Sequence, residues 1–175
     1  MKNMIPAWEN GELKPVDKLE VHKRALRHKA VSVFIILGSQ TLIQRRALSK
    51  YHTPGLWANA CCTHPHWDEE SKDCASRRIH EELGIKTNSD LVYRNQIEYQ
   101  ADVGNGLFEH ELVDIFTWEI TSKEKIKLVM NTEEVMATKW IEFETLKKEI
   151  SSKPKHFTPC LKIYMEEYIA QILAS

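Results

Sequence analysis

The chain has 175 residues, 42% hydrophobic and 28% charged, which suits one globular domain with a core of its own. Its 24 basic and 25 acidic residues leave a formal net charge of −1, so it lacks the broad positive field that a nucleic-acid partner needs. Residues 1–6 hold no apolar core for a signal peptide, and the longest apolar run, 31–37, is too short to cross a bilayer; neither export nor membrane insertion is expected.

In chain order, residues 1–17 read as a short extension and 18–26 as a short helix. Residues 31–37 are apolar and β-branched and predict a buried strand. A turn at Gly38-Ser39-Gln40 leads to a second strand over 41–45, and Pro54-Gly55 punctuates a polar loop over 48–55. Residues 56–62 are strand-like. Residues 71–83 give the clearest helix, with Ser71 as N-cap, Ala75, Ile79 and Leu83 as its apolar stripe and Gly84 as its stop. Strands follow over 91–101, 109–120 and 135–141, the first two separated by Gly104-Asn105-Gly106. Amphipathic helices over 143–150 and 160–173 fill the C-terminal region, about 142–175. The pattern predicts a single α+β (mixed α/β) domain over 1–175, with a sheet covered by helices.

Several residues carry chemistry. His22, His28, His64, Glu109 and Glu111 are candidate metal ligands. Glu109 and Glu111 alternate on a strand and so share a face, where two carboxylates repel unless a cation or proton lies between them. His110 points the other way. His22 and His28 converge only if the helix ends between them and the chain turns into the following strand. Imidazoles with carboxylates suit zinc, manganese or iron better than calcium; the same residues also fit surface histidines beside an exposed acidic edge. The four cysteines, Cys61, Cys62, Cys74 and Cys160, form no Cys-x-x-Cys pair and read as reduced thiols of a cytoplasmic protein. Cys61 and Cys62 face opposite sides of their strand. Cys62, two residues before His64, is either an acid/base or nucleophilic thiol or a small buried hydrophobe. Arg45, Arg46 and Lys50, with Lys18 and Arg78, offer donors for a diphosphate or simply a solvated basic stretch; Arg77–Glu81 and Arg78–Glu82 are also spaced for plain helix ion pairs.

The segment from Thr63 to Ile85 resembles the Nudix signature Gx5Ex7REUxEExGU. Glu69, Arg77, Ile79, Glu81, Glu82, Gly84 and Ile85 match, while Thr63 replaces the opening Gly and Arg78 the first Glu of REUxEE. The resemblance implies a Nudix fold, a mixed β-sheet sandwiched between helices. The missing Glu weakens the expectation of hydrolysis. From about residue 19 to 164 the chain resembles one branch of that superfamily, the type 1 isopentenyl-diphosphate isomerases. The matching pieces are His22 with Leu26-Arg27-His28-Lys29-Ala30, Arg45-Arg46-Ala47-Leu48-Ser49-Lys50, Pro54-Gly55-Leu56-Trp57-Ala58-Asn59, Cys61-Cys62-Thr63-His64-Pro65 and Glu109-His110-Glu111.

This resemblance implies interconversion of isopentenyl and dimethylallyl diphosphate by protonation and deprotonation. It implies that His22, His28, His64, Glu109 and Glu111 bind one divalent metal, manganese or zinc, with magnesium as a further option. Glu82, with the backbone of Cys62, would hold a magnesium on the substrate diphosphate, which Lys18, Arg46, Lys50 and Arg78 would contact. Cys62 and Glu111 would move the protons, with Tyr99 bonded near Glu111. The family commonly has a Trp over the carbocation where this chain has Cys160, leaving Trp67, Trp118 and Phe157 as candidate substitutes. The alternatives are a Nudix hydrolase acting on a nucleoside or other small diphosphate and a non-catalytic binding module. With no coiled-coil heptads, a monomer is the default expectation.

Overall fold

Residues 28–37 alternate two apolar faces, and that alternation organises the molecule. The fold is described from a computed structural model, which covers residues 3–87 and 90–174. Its elements are β1 (Met4–Glu9), β2 (Glu12–Asp17), α1 (Lys18–Lys23), β3 (His28–Leu37), β4 (Gln40–Arg46), β5 (Trp57–Asn59), β6 (Cys61–Thr63), α2 (Ser71–Leu83), β7 (Val92–Gly104), β8 (Leu107–Glu119), β9 (Val135–Glu142), α3 (Phe143–Ser152), α4 (Pro159–Ile163) and α5 (Ile169–Leu173). A π-helical segment, Tyr164–Tyr168, joins α4 to α5.

The β3 strand is central. It runs parallel to β8 and antiparallel to β6, with Ser32 opposite Cys62 and His28 opposite Glu111. The strand also forms a hairpin with β4, which pairs with β5 and β9, while β7 pairs with β8. Val31, Val33 and Ile35 pack with Cys74, Ala75, Ile79 and Leu83 of α2. Ala30, Phe34 and Ile36 pack on the other face with Leu146, Ile150, Leu161, Tyr164 and Ile172. The expected mixed sheet between helices is therefore what the chain builds. Each large aliphatic buried in these layers contributes about 1.5–3 kcal/mol relative to exposure.

The helix over 71–83 stops as its sequence predicts. Gly84 has φ +69°, and a Cβ there would lie 2.7 Å from Val129 Cβ and from its carbonyl oxygen. Only glycine fits both the turn and the close approach of residues 129–131, which bond to the helix end through Val129 N–H to Leu83 O and Asn131 N–H to Glu82 O.

Several boundaries differ from expectation. The first 17 residues are more than an extension: Met4–Asp17 is a hairpin whose β1 joins β3 at Ala7–His28. Its turn is Asn10-Gly11, both at positive φ, the pair that a tight hairpin turn favours. The cap position of α2 is Glu70, without a side-chain cap bond; the Ser71 hydroxyl donates instead to Asp114. The strand expected over 56–62 breaks at Ala60, so that β5 pairs with β4 and β6 with β3. The helix expected over 160–173 is interrupted by the π segment.

Candidate active site

Side chains from α1, β3, β8 and the residue after β6 meet at one end of the sheet. Asp17 caps α1 by accepting from Leu19 and Glu20 N–H. The helix ends at Lys23, and Ala25 turns at φ +51° into β3. This short return brings the His22 and His28 rings to 5.0 Å, the condition their spacing required. Glu111 lies beside His28 in the parallel β3–β8 register. His22 Nδ1 bonds Lys18 O at 2.6 Å, and His28 Nδ1 bonds Leu26 O at 2.7 Å. Both rings thus use Nδ1 on the backbone and turn Nε2 inward.

The result is a buried group of four. One ligand atom from each of His22, His28, His64 and Glu111 lies within 4.8 Å of the others. His28 Nε2 and His64 Nε2 are 3.2 Å apart, and His64 Nε2 is 3.0 Å from Glu111 Oε1. His22 Nε2 has no partner among the described residues. Burial, opposed by the Lys18 carbonyl, lowers the His22 pKa to about 4, and burial with nearby Lys18 holds His64 well below the ordinary range. Burial alone would raise Glu111, but its contacts with His28 and His64 outweigh it and hold the carboxyl well below the usual carboxylate range. Three imidazoles around a carboxylate are a donor set that fits a divalent cation.

Glu109 stands outside that group of four. Tyr99 Oη lies 2.9 Å from Glu109 Oε2 and 2.8 Å from Glu111 Oε2. A phenol has one hydrogen, so it donates to one carboxylate, and the other carboxyl supplies its own proton. Burial and repulsion from Glu111 push the Glu109 carboxyl well above the usual carboxylate range. His110 faces away and pairs with Glu98, as the strand alternation predicted.

Beside this group lies a cleft bordered by Lys18, Arg46, Lys50, Arg78, Cys62 and Glu82. The four expected diphosphate contacts therefore converge. Burial, then repulsion from Lys50, Arg78 and Arg46, lowers the Lys18 pKa to about 8. Arg78 forms its helix pair with Glu82 at 2.6 Å, as spaced, and Arg77 pairs with Glu81 at 3.1 Å. Gln44 Nε2 donates to the second Glu82 oxygen at 2.7 Å. Cys61 packs toward α2 while Cys62 faces the cleft. A hydrogen bond with Cys160, then burial, keeps the Cys62 thiol protonated.

Sequence reasoning missed Glu134. Its Oε2 lies 2.6 Å from Lys50 Nζ and 3.3 Å from Arg78 Nη2. It lies on the turn just before β9, and nothing in its spacing marks it. Tyr51 and His52 fall just before Pro54-Gly55 in the expected loop; Tyr51 packs edge-on against His22, and His52 stacks on His22 at 5.6 Å. Burial, then Arg46, lowers the His52 pKa to about 2. The proposed aromatic substitutes lie elsewhere: Trp118 packs in the α2 layer and Phe157 in the opposite core, and Trp67 hydrogen-bonds through its backbone to Met4. None of the three borders this cleft; Tyr51 does.

Comparison with known proteins agrees with this constellation. The family model for the NUDIX domain matches residues 26–161. The chain is 54% identical over 175 residues to the isopentenyl-diphosphate Delta-isomerase of Dinoroseobacter shibae, covering 100% of this chain and 98% of the relative. It is 56% identical over 171 residues to the enzyme of the same name from Jannaschia sp., covering 98% and 96%. The crystal structure of DR0079 from Deinococcus radiodurans superposes with a TM-score of 0.72 at 14% identity, over 93% of this chain and 96% of that one, which speaks for the fold alone. A NUDIX domain carrying this histidine–glutamate group, with near-full-length likeness to those enzymes, places the chain in the isopentenyl-diphosphate Delta-isomerase family.

Proposed function

We propose that this protein interconverts isopentenyl and dimethylallyl diphosphate by moving one proton on and one proton off the hydrocarbon. The observation that carries the reading is the convergence of Cys62, Glu111 and four cations on one cleft in a chain so similar to these isomerases. Protonation of the terminal methylene leaves a tertiary cation, and loss of a proton from the carbon nearer the diphosphate forms the new double bond. Cys62 and Glu111 sit on strands either side of β3, on one face of the sheet, as an acid and base flanking the substrate would. Tyr99 holds Glu111 in place. Lys18, Arg46, Lys50 and Arg78 bind the diphosphate and fix the hydrocarbon inward. Burial of the site keeps out water that would trap the cation.

His22, His28, His64 and Glu111 would hold a divalent cation, manganese or zinc by donor type, with Glu109 as a fifth ligand. Such an ion supplies positive charge that fixes the protonation state of its carboxylates. Glu82, with the Cys62 backbone, holds magnesium on the diphosphate. The whole chain acts as one Nudix-type unit, since both the hairpin-borne α1 and the C-terminal helices border the same cleft. We place it in the cytoplasm as a monomer, in keeping with its four unpaired cysteines. Among the described residues, no helix is long and apolar enough to cross a membrane. The hydrolase alternative is disfavoured by Arg78, a cation ion-paired to Glu82 where a Nudix hydrolase has a carboxylate. Purified protein incubated with isopentenyl diphosphate and magnesium is expected to give dimethylallyl diphosphate by NMR without phosphate release. Phosphate release, or no product from metal-loaded protein, would sink the proposal.

A further inference from the structure

Beside Cys62 a chain of polar groups runs through the core. Tyr164 begins the π-helical segment and lies one turn beyond Cys160, at the point where α4 gives way to a wider turn. The residue is fully buried. Its ring packs edge-on against Phe34 and Tyr99, each at 5.9 Å, which leaves its hydroxyl little freedom. That hydroxyl lies 3.7 Å from Cys62 Sγ, a separation suited to the large sulfur atom.

The direction of the chain follows from Asn59. Its amide nitrogen lies 2.8 Å from Ser32 Oγ and 2.9 Å from the carbonyls of Val33 and Cys61, three acceptors for its two hydrogens, and the carbonyls fix its orientation. An amide nitrogen accepts nothing, so the Ser32 hydroxyl must turn its hydrogen away from Asn59. That hydrogen has two acceptors, the Cys61 carbonyl at a long 3.4 Å and the Tyr164 oxygen. When Ser32 donates to Tyr164, the phenolic hydrogen is left for Cys62 Sγ. Ser32 lies opposite Cys62 in the β3–β6 register, so the strand pairing itself aligns the chain.

We infer that Tyr164 is a positioning residue for the reaction: oriented through Asn59 and Ser32, it donates a hydrogen bond to Cys62 and aims the thiol at the hydrocarbon. The inference rests on the reading of Cys62 as a proton-transfer group. Its effect belongs to the chemical step, because Tyr164 borders neither the cations of the rim nor the diphosphate they would bind. It also gives the C-terminal helices a task in the site although residue 160 is a cysteine.

The test is steady-state turnover of isopentenyl diphosphate by the full-length, metal-loaded Tyr164→Phe variant, with kcat and KM separated. The substitution keeps the ring and removes only the hydroxyl, and a thermal melt checks the fold. The expected result is a kcat about tenfold lower with KM within about twofold of the parent. Ser32→Ala, which removes only the donor to Tyr164, lowers kcat by a smaller factor and leaves KM alone. A kcat for Tyr164→Phe within about twofold of the parent, or a loss carried by KM, overturns the inference. Cys62→Ala is assayed alongside. If it retains turnover, the reading of Cys62 itself has failed; if it is inactive while Tyr164→Phe is near normal, the inference about Tyr164 alone has failed.

Discussion

At the histidine group the inward polar atoms have few partners: His22 Nε2 has none among the described residues, and two other imidazole nitrogens face each other at 3.2 Å. At the rim of the same cleft two of the four cations already meet carboxylates. Lys50 already lies on Glu134, and Arg78 is shared between Glu82 and Glu134. The first region is a set of donors awaiting a cation. The second is a set of cations of which Lys50 and Arg78 already meet carboxylates that an incoming diphosphate must displace, while Lys18 and Arg46 form no carboxylate ion pair among the described residues. One region is thus expected to respond to metal and the other to the anionic substrate, and substitutions can separate them.

The largest effect is expected in the first region. Glu111→Gln keeps the shape but removes the charge, and turnover should fall by about a thousandfold, with bound metal lost by plasma mass spectrometry. Retained metal and near-parent turnover would remove Glu111 from both roles. Next comes metal removal from the unaltered protein. Because the four ligands come from α1, β3, β8 and the residue after β6, chelation should lower the melting temperature by about 5–10 °C, restored by manganese or zinc. An unchanged melt would mean that the group holds no ion in solution. Third, Lys50→Gln should raise KM about tenfold with little change in kcat, as expected for a contact made equally throughout the reaction. A fall in kcat instead would move Lys50 from binding into chemistry. The smallest effect is expected for Glu134→Gln, which frees Lys50 and Arg78 from their internal anion. Inorganic diphosphate should then inhibit about two- to fivefold more tightly. Weaker inhibition would make Glu134 a support for those cations rather than a competitor.

Some of this was legible in the residues. The stripe Ala75, Ile79, Leu83 and the stop at Gly84 marked α2 because periodicity and glycine geometry are local properties. The alternation of Cys61 and Cys62 separated core from cleft for the same reason. The histidine group was legible only conditionally, since the approach of His22 to His28 depends on a reversal at Ala25 that no residue type announces. Glu134 and Tyr164 were not legible. Each reaches the site through pairing across the fold: Glu134 because residues 129–131 bond to the end of α2, and Tyr164 because the C-terminal helices pack on β3. The N-terminal hairpin has a local signal in Asn10-Gly11, a strong turn pair, but the prolines at 6 and 15, opposite each other in the register, mask the flanking strands.

That hairpin bears on how the protein is handled in the laboratory. Asp17 both ends β2 and caps the helix that carries Lys18 and His22, Lys18 N–H bonds to Asn3 O, and Trp67 N–H bonds to Met4 O just beyond His64. Trimming the chain to the limits of the domain model, which begins at residue 26, would therefore discard two site residues together with the strands that seat the helix. An affinity tag is better fused after the C-terminal helices than ahead of β1, where it would bear on the strand that holds His22 and the loop after His64 in place.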